Sequence, residues 1–586
     1  MESGTAERRT DRPAGLDAAT MAEAFRITAR DNADLPALRT KGDELNLTWG
    51  QYAERVERLA AGLAGLGLGR GQTIGLMLTN RPEFHLLDAA AMHLGATPFS
   101  VYNTYSPEQI EYLAGDADNR IFVTEQSFLE RVQAVEGIEH VVVVDGDAGD
   151  GVLSLGDVEA AANDDFDFES AWRAVEPDDI LTLIYTSGTT GPPKGVQISH
   201  DNMVSCIRSY DELIAFPHGG RIVSYLPMAH IAERNVSHYL PMTCAFTVTC
   251  CPNPREVASY LPEVHPSWFF AVPRIWEKLK AGLEATLAGL EDEDQKQKIQ
   301  RALELGLKKV QAEQAGEELP QELRDAYAKA DEELFSNFRT MLGLDQLEAC
   351  NVGAAPTPRE VIEFFHVLGI PLAELWGMSE TTGAGTCNPP DRIKIGTVGP
   401  PAPDCEVTLA EDGEVLIRGP VVMPGYRNQP DKTKEAIDED GWLHTGDIGE
   451  FDDDGYLKIV DRKKELIINA AGKNMSPANI EAKIKSSSPL IGQAIAVGDG
   501  RSYNVALITL DPDAKPGYES DEAIQEEVQA GVDRANEQLA RVEQIKKFKV
   551  LDEEWEPGGD ELTPTMKLKR KPIAEKYSDE IEALYA

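Results

Sequence analysis

The sequence predicts an α/β protein. A large N-terminal domain of layered sheets and helices carries a β-rich subdomain, and a small α+β C-terminal domain follows on a hinge. Three observations lead there. Short apolar runs alternate with helix-patterned segments, the arrangement that builds a mostly parallel sheet covered on its faces. Short strand patterns broken by glycine turns then crowd the stretch from Glu411 to Val460. A basic turn, Arg462-Lys463-Lys464, separates these from a last region of strands and helices. The pattern divides the 586 residues into a disordered tail (1–20), a large domain (21–461) with a helical insertion over about 277–340, and a mobile C-terminal domain (462–586).

In chain order, the first twenty residues are polar and mixed in charge, with no apolar stretch of the kind a secretory signal needs. Thr48 and Gln51 have the spacing of a capping box, and Tyr52, Val56, Leu59 and Leu63 then share one helical face. Thr73–Leu78, Arg120–Thr124 and His140–Val144 read as buried strands, with a helix over Glu83–Leu94. Ile180–Ile184 and Arg221–Leu226 are further strands. Ile299, Leu303, Leu307 and Val310 form a helical stripe. Gly316 and Pro320 break it, and Leu323, Tyr327, Leu334 and Phe338 resume it, which predicts a helical hairpin laid on the large domain. Glu411-Asp412-Gly413-Glu414 signals a β-hairpin. In the C-terminal region Gln493–Val497 and Val505–Leu510 read as strands and Asp521–Gln544 as a helix.

Charge narrows the function. A formal net charge of −44 opposes binding to nucleic acid or to an anionic membrane surface. No run approaches the ~18 apolar residues of a membrane span, which leaves only peripheral membrane contact open. The seven cysteines show no C-x-x-C spacing, so reduced thiols, a cytoplasmic location and no cysteine metal site are expected. Against this acidic background Arg462-Lys463-Lys464 and the stretch from Arg541 to Lys576 are basic, as a protein holding polyanions requires.

One segment points to phosphate. Tyr185-Thr186-Ser187-Gly188-Thr189-Thr190-Gly191-Pro192-Pro193-Lys194-Gly195 follows a strand pattern and combines glycines, hydroxyls and a lysine. Glycine permits close backbone approach, successive N–H groups make an anion nest, and Lys194 adds a point charge. A Walker A loop is excluded, because Pro193 stands where its second glycine belongs and Gly195 where a hydroxyl follows the lysine. Further on, Gly353-Ala354-Ala355 offers flat backbone to a base. Ser379 beside Glu380 suits an α-phosphate and a Mg²⁺ ion, which takes one or two carboxylates with phosphate oxygens. Gly377-Met378-Ser379-Glu380-Thr381 is one glycine short of a hydrolase nucleophile elbow. Asp447, on the glycine turn of Thr445-Gly446-Asp447, suits two ribose hydroxyls.

Taken together and in this order, these segments resemble the adenylate-forming superfamily of acyl-CoA synthetases, luciferases and peptide adenylation domains, over about residues 25–580. The resemblance implies ATP, Mg²⁺ and coenzyme A as cofactor and co-substrates, and a carboxylic acid as substrate. The helical insertion and the histidine of Trp442-Leu443-His444-Thr445-Gly446-Asp447 are similar to long-chain fatty acid enzymes. It implies that Thr186, Ser187, Gly188, Thr189, Thr190 and Lys194 grip the β- and γ-phosphates. Gly353, Ala354, Ala355, Trp376, Gly377 and Ser379 would contact the nucleotide, and Glu380 would hold the metal. His230, in Pro227-Met228-Ala229-His230-Ile231-Ala232-Glu233, would stand beside the acyl pocket, with Glu233 a lesser candidate. Arg462 matches the nucleotide-contacting arginine, Lys464 the hinge, Gly472 the loop near the pantetheine tunnel and Lys567 the catalytic lysine. Trp376 and Ser379 depart from the superfamily pattern, which has tyrosine and threonine there. An acyl-AMP ligase serving a carrier protein and a non-catalytic acyl-binding protein are the alternatives.

Overall fold

The computed structural model describes residues 12–586 except 164, 187–191, 519, 557 and 564–565. The expected tail is corrected from residue 12 onward. Ala14–Asp17 forms a short 3-10 helix with Leu16 and Ala18 buried, and Thr20 caps the helix Met21–Asp31 through the amide of Glu23. Two apolar side chains anchor a segment whose composition reads as tail.

The central sheet has eight strands, in the order Gly425–Tyr426, Lys194–Ser199, Ile180–Thr186, Thr97–Ser100, Thr73–Met77, Ile121–Thr124, His140–Val143, Leu153–Ser154. From Ile180–Thr186 outward all neighbours are parallel, while the first three strands are antiparallel. Thr73–Met77 is buried at every position, as a near-continuous apolar run in a parallel sheet should be. The helix Trp49–Gly65 opens with the Thr48/Gln51 capping box and buries Tyr52, Val56, Leu59 and Leu63.

A second sheet sets Trp268–Ala271, Ala349–Val352 and Leu372–Trp376 in parallel, with Thr386–Cys387 antiparallel at its edge. The helical insertion is the crossover between its first two strands. It spans the helices Pro273–Ala288, Glu293–Gln314, Gln321–Ala330 and Ser336–Leu342. The β-rich subdomain is an antiparallel sheet in the order Glu406–Leu409, Glu414–Arg418, Leu443–Phe451, Leu457–Arg462.

After Arg462 the chain builds a three-stranded sheet, Ile491–Val497, Asn504–Leu510 and Ile545–Val550, with the helices Pro477–Ser486 and Asp521–Gln538. The helix expected to reach Gln544 stops at Gln538, because Leu539 turns extended. The strand that follows escaped the sequence pattern because Lys546, Lys547 and Lys549 interrupt its apolar residues. This region has a core of its own, including Ile480, Ile508 and Val528. Its contacts with the large domain include charged pairs: Arg274 to Asp511, Lys278 to Asp513 at 2.9 Å and Lys483 to Glu360 at 3.3 Å.

Candidate active site

The phosphate-loop candidate is a hairpin connection. Thr186 pairs with Lys194 across two antiparallel strands, so Tyr185, Thr186, Lys194 and Gly195 belong to strands, and the turn is shorter than the sequence suggests. Ser187, Gly188, Thr189 and Thr190 lie outside the described residues. Lys194 is half-buried, with Nζ 3.8 Å from the centre of the Tyr426 ring. Burial lowers its pKa, opposed by the negative charge of Glu380. Tyr426 is held beside the hairpin by pairing with Val196, and its hydroxyl donates to Glu380 Oε1 at 2.7 Å. Burial, and then Glu380, push the phenol pKa well up, so Tyr426 remains a donor.

Glu380 sits in a 3-10 turn, Ser379–Thr381, that is buried throughout, and its carbonyl accepts from the amide of Met423 at 2.9 Å. A nucleophile elbow leads from strand into a helix. Here the strand Leu372–Trp376 leads into a turn of three residues, against the hydrolase reading. Gly377 is needed because the chain folds back on itself: a Cβ there would lie 2.4 Å from the carbonyl oxygen of Gly383. Among the described residues no group of three or more His, Cys, Asp and Glu side chains forms a metal cluster. Glu380 is a single carboxylate, and one carboxylate completed by phosphate oxygens and water is a donor set Mg²⁺ accepts.

Gly353 is explained by packing. A Cβ there would come within 2.9 Å of Leu375 Cδ1, so its role is to let two strands lie close. Ala354 takes a left-handed conformation, φ 69°, and Ala354 and Ala355 are exposed.

The ribose candidate is assembled from three strands. Asp447 and Arg462 are register partners on neighbouring strands of the subdomain, and Arg462 Nε lies 2.8 Å from Asp447 Oδ1. Trp376 Nε1 donates to Asp447 Oδ2 at 2.8 Å. Asp447 is 5% exposed, and burial raises its pKa, against the opposing effects of Arg462 and Trp376.

His230 caps the short helix Ile231–Glu233, its Nδ1 accepting from the amide of Ala232 at 3.2 Å. Burial, reinforced by the charge of Lys567, lowers its pKa to about 3, so the ring is neutral at physiological pH. Glu233 is committed elsewhere: its Oε1 accepts from Ser224 Oγ, the amide of Tyr225 and Asn80 Nδ2. Arg234, fully buried, pairs with Asp88 at 2.5 Å and donates to the carbonyl of Met228. It thereby ties down the loop that presents His230.

Lys567 belongs to the C-terminal domain. The carbonyl of Lys567 accepts from Thr563 N at 2.8 Å, and its amide donates to Thr563 Oγ1 at 3.0 Å. Met566, at φ 65°, closes the turn. Lys567 is exposed at its surface; desolvation by the surrounding protein and the charge of Arg462 lower its pKa, while Asp447, Glu380 and Glu465 raise it. Lys567 therefore lies within electrostatic reach of the nucleotide and metal candidates. Lys464 is exposed in the turn after Leu457–Arg462. Gly472, at φ 75°, turns the hairpin between Ile467–Ile468 and Asn474–Met475.

Tyr426, Arg234 and Asp461 were missed from sequence. Asp461 accepts from Ser476 Oγ and from the amides of Arg462 and Ala478, bridging the last strand of the subdomain to the first helix of the C-terminal domain. Each is a common residue type whose role depends on a partner remote in sequence. Only the pairing of Tyr426 with a glycine in a β-rich stretch hinted at position.

The AMP-binding enzyme family model matches residues 25–427, and the AMP-binding enzyme C-terminal domain model matches residues 464–586. A Mycobacterium tuberculosis protein provisionally named fatty-acid–CoA ligase fadD11 is 51% identical over 450 residues, covering 74% of this chain and 79% of that one. The long-chain-fatty-acid–CoA ligase FadD15 of the same organism is 32% identical over 570 residues, covering 92% of each. The crystal structure of the anthranilate CoA ligase AuaEII in complex with anthranoyl-AMP superposes with a TM-score of 0.75 at 20% identity, covering 96% of this chain and 98% of that one. That structural likeness shows a shared fold.

Proposed function

This chain belongs to the AMP-binding enzyme family, and from that premise we propose that it activates a fatty acid with ATP and passes the acyl group to coenzyme A. The carrying observation is convergence of charge: Asp447 and Arg462 pair at 2.8 Å, Trp376 anchors Asp447, and Lys567 of the C-terminal domain lies within electrostatic reach of Glu380, Asp447 and Arg462. The relative named a long-chain ligase and the helical insertion support a long acyl chain.

The chemistry follows from charge. An oxygen of the fatty acid carboxylate bonds to the α-phosphorus of ATP, the bond to the bridging oxygen breaks, and pyrophosphate leaves. The two reactants repel, so the site must position them and neutralise charge. Lys194 serves the leaving phosphates, with Tyr426 fixing both it and Glu380. Asp447 takes the ribose hydroxyls. Lys567 serves the charge developing at the α-phosphate. Mg²⁺ on Glu380 supplies further neutralisation when bound. His230, neutral, adds no charge beside the acyl carbonyl. In the second step the thiol of coenzyme A attacks that carbonyl and AMP departs. We place this step after a rotation of the C-terminal domain about Lys464, which withdraws Lys567 and brings the Gly472 loop to the cleft.

Acid-dependent ATP–pyrophosphate exchange over fatty acids from hexanoic to eicosanoic, followed by assay of acyl-CoA, tests this reading. Exchange without thioester formation would favour the carrier-protein ligase, and no exchange would sink both. Lys567→Ala is expected to lose exchange yet still convert supplied acyl-adenylate to acyl-CoA. Equal loss of the two half-reactions would remove Lys567 from its assigned role.

A further inference from the structure

We propose that Trp376 is a positioning residue for the nucleotide ribose, acting through its indole N–H on Asp447. The inference rests on the nucleotide reading of the cleft and adds a residue whose expected role was only an aromatic face.

Four observations carry it. Trp376 ends a strand held at that end by the strand Thr386–Cys387: Leu375 pairs with Cys387 and Trp376 with Thr386. The ring lies flat on Gly385, where a Cβ would come within 2.6 Å of Cε3 and Cζ3, so any other residue would displace the indole. The N–H donates to Asp447 Oδ2 at 2.8 Å within a buried pair. Among the other tryptophans, the indole nitrogens of Trp49, Trp172 and Trp276 are buried with no partner among the described residues, while Trp268 and Trp555 donate to the neutral acceptors Asn351 and Tyr577; here Trp376 donates to a carboxylate.

The arrangement shares out the carboxylate. An ionised Asp has about four acceptor sites, two on each oxygen. Among the described residues Trp376 donates to Oδ2, and Arg462 Nε is ion-paired with Oδ1 at 2.8 Å. Acceptor capacity remains on both oxygens, matching two vicinal hydroxyls. With both oxygens anchored, the carboxylate plane is set before the nucleotide arrives, and binding need not spend entropy on fixing it. A tyrosine, the superfamily's residue here, carries no donor at the position of the indole nitrogen. The substitution therefore preserves the face and changes the hydrogen bonding.

The test compares ATP with 2′-deoxy-ATP in the presence of Mg²⁺, using calorimetric affinity without fatty acid and steady-state exchange with it. Trp376→Phe keeps the aromatic face and deletes the N–H. Losing a hydrogen bond to a charged group should weaken ATP about ten- to a hundredfold. The loss should appear in Kd and KM more than in kcat, and the preference for ATP over 2′-deoxy-ATP should shrink. The acid limb of the KM(ATP) profile should move to higher pH, because Asp447 loses a donor that favours its ionised form. Gly385→Ala, which displaces the ring while leaving it present, should reproduce the lost preference. Should Trp376→Phe fold poorly, Gly385→Ala and Trp376→Tyr decide the matter by the same ratio. Unchanged ATP preference in the folded variants would overturn the proposal and leave the nucleotide reading intact. A wild-type protein that binds neither nucleotide would overturn that reading itself.

Discussion

Reversing the charge of Glu360 should uncouple the two half-reactions. Glu360 opens the helix Arg359–Val367 of the large domain, and its carboxylate faces the C-terminal domain. Lys483 Nζ lies 3.3 Å from Oε2, and Ser486 Oγ donates to Oε1 at 2.9 Å. The side chains are 38% and 20% exposed for Glu360 and Lys483, so screening discounts the pair to about 0.5–1 kcal/mol. The hydroxyl bond adds about 1 kcal/mol, and Glu360→Lys replaces the attraction by repulsion of similar size. The contact holding Lys567 in the cleft then weakens by about 2 kcal/mol, roughly 30-fold in the balance of domain orientations. Two rates read this out: ATP–pyrophosphate exchange, and transfer of supplied acyl-adenylate to coenzyme A. Exchange should fall by up to that factor while transfer holds or rises. The swap Glu360→Lys with Lys483→Glu should restore exchange, and raising ionic strength should shift the wild type in the direction of the single variant. A parallel fall of both rates, or a swap that restores nothing, would refute the view that this contact selects an orientation.

Other expectations concern the groups around the cleft. Tyr426→Phe removes the buried hydrogen bond to Glu380 Oε1, worth about 1.5–3 kcal/mol, and should cut exchange about tenfold or more together with a measurable fall in stability. Asp88→Ala leaves Arg234 buried without its counter-charge, and denaturant titration should show a loss of about 3–5 kcal/mol. Glu233 has its pKa raised by burial from 4.5 to about 7. The folded state thus keeps a proton that the unfolded state releases, so this group's stabilisation is full below pH 4.5 and is lost as the pH rises through about 7. The melting temperature of the wild type should therefore fall across that window relative to Glu233→Gln, and parallel profiles would contradict the assignment.

The parallel sheet was legible because strands buried on both faces must be continuously apolar, and the Thr48/Gln51 cap because its partners are three residues apart. Local spacing of glycine, hydroxyl and carboxylate residues suggested Lys194, Glu380 and Asp447 as nucleotide candidates, whereas Lys567 was suggested only by the family resemblance. The strand Ile545–Val550 and the folded start at Leu16 did not, since lysines or polar neighbours hid a few anchoring apolar residues. What local spacing cannot contain is pairing between distant segments. Tyr426 meets Glu380 across 46 residues, Trp376 meets Asp447 across 71, and Arg234 meets Asp88 across 146. The sequence by itself determined which chemical groups are available. Only tertiary structure decided which of them are held rigid and by what, because a buried donor takes whatever acceptor the packing of remote strands puts within reach.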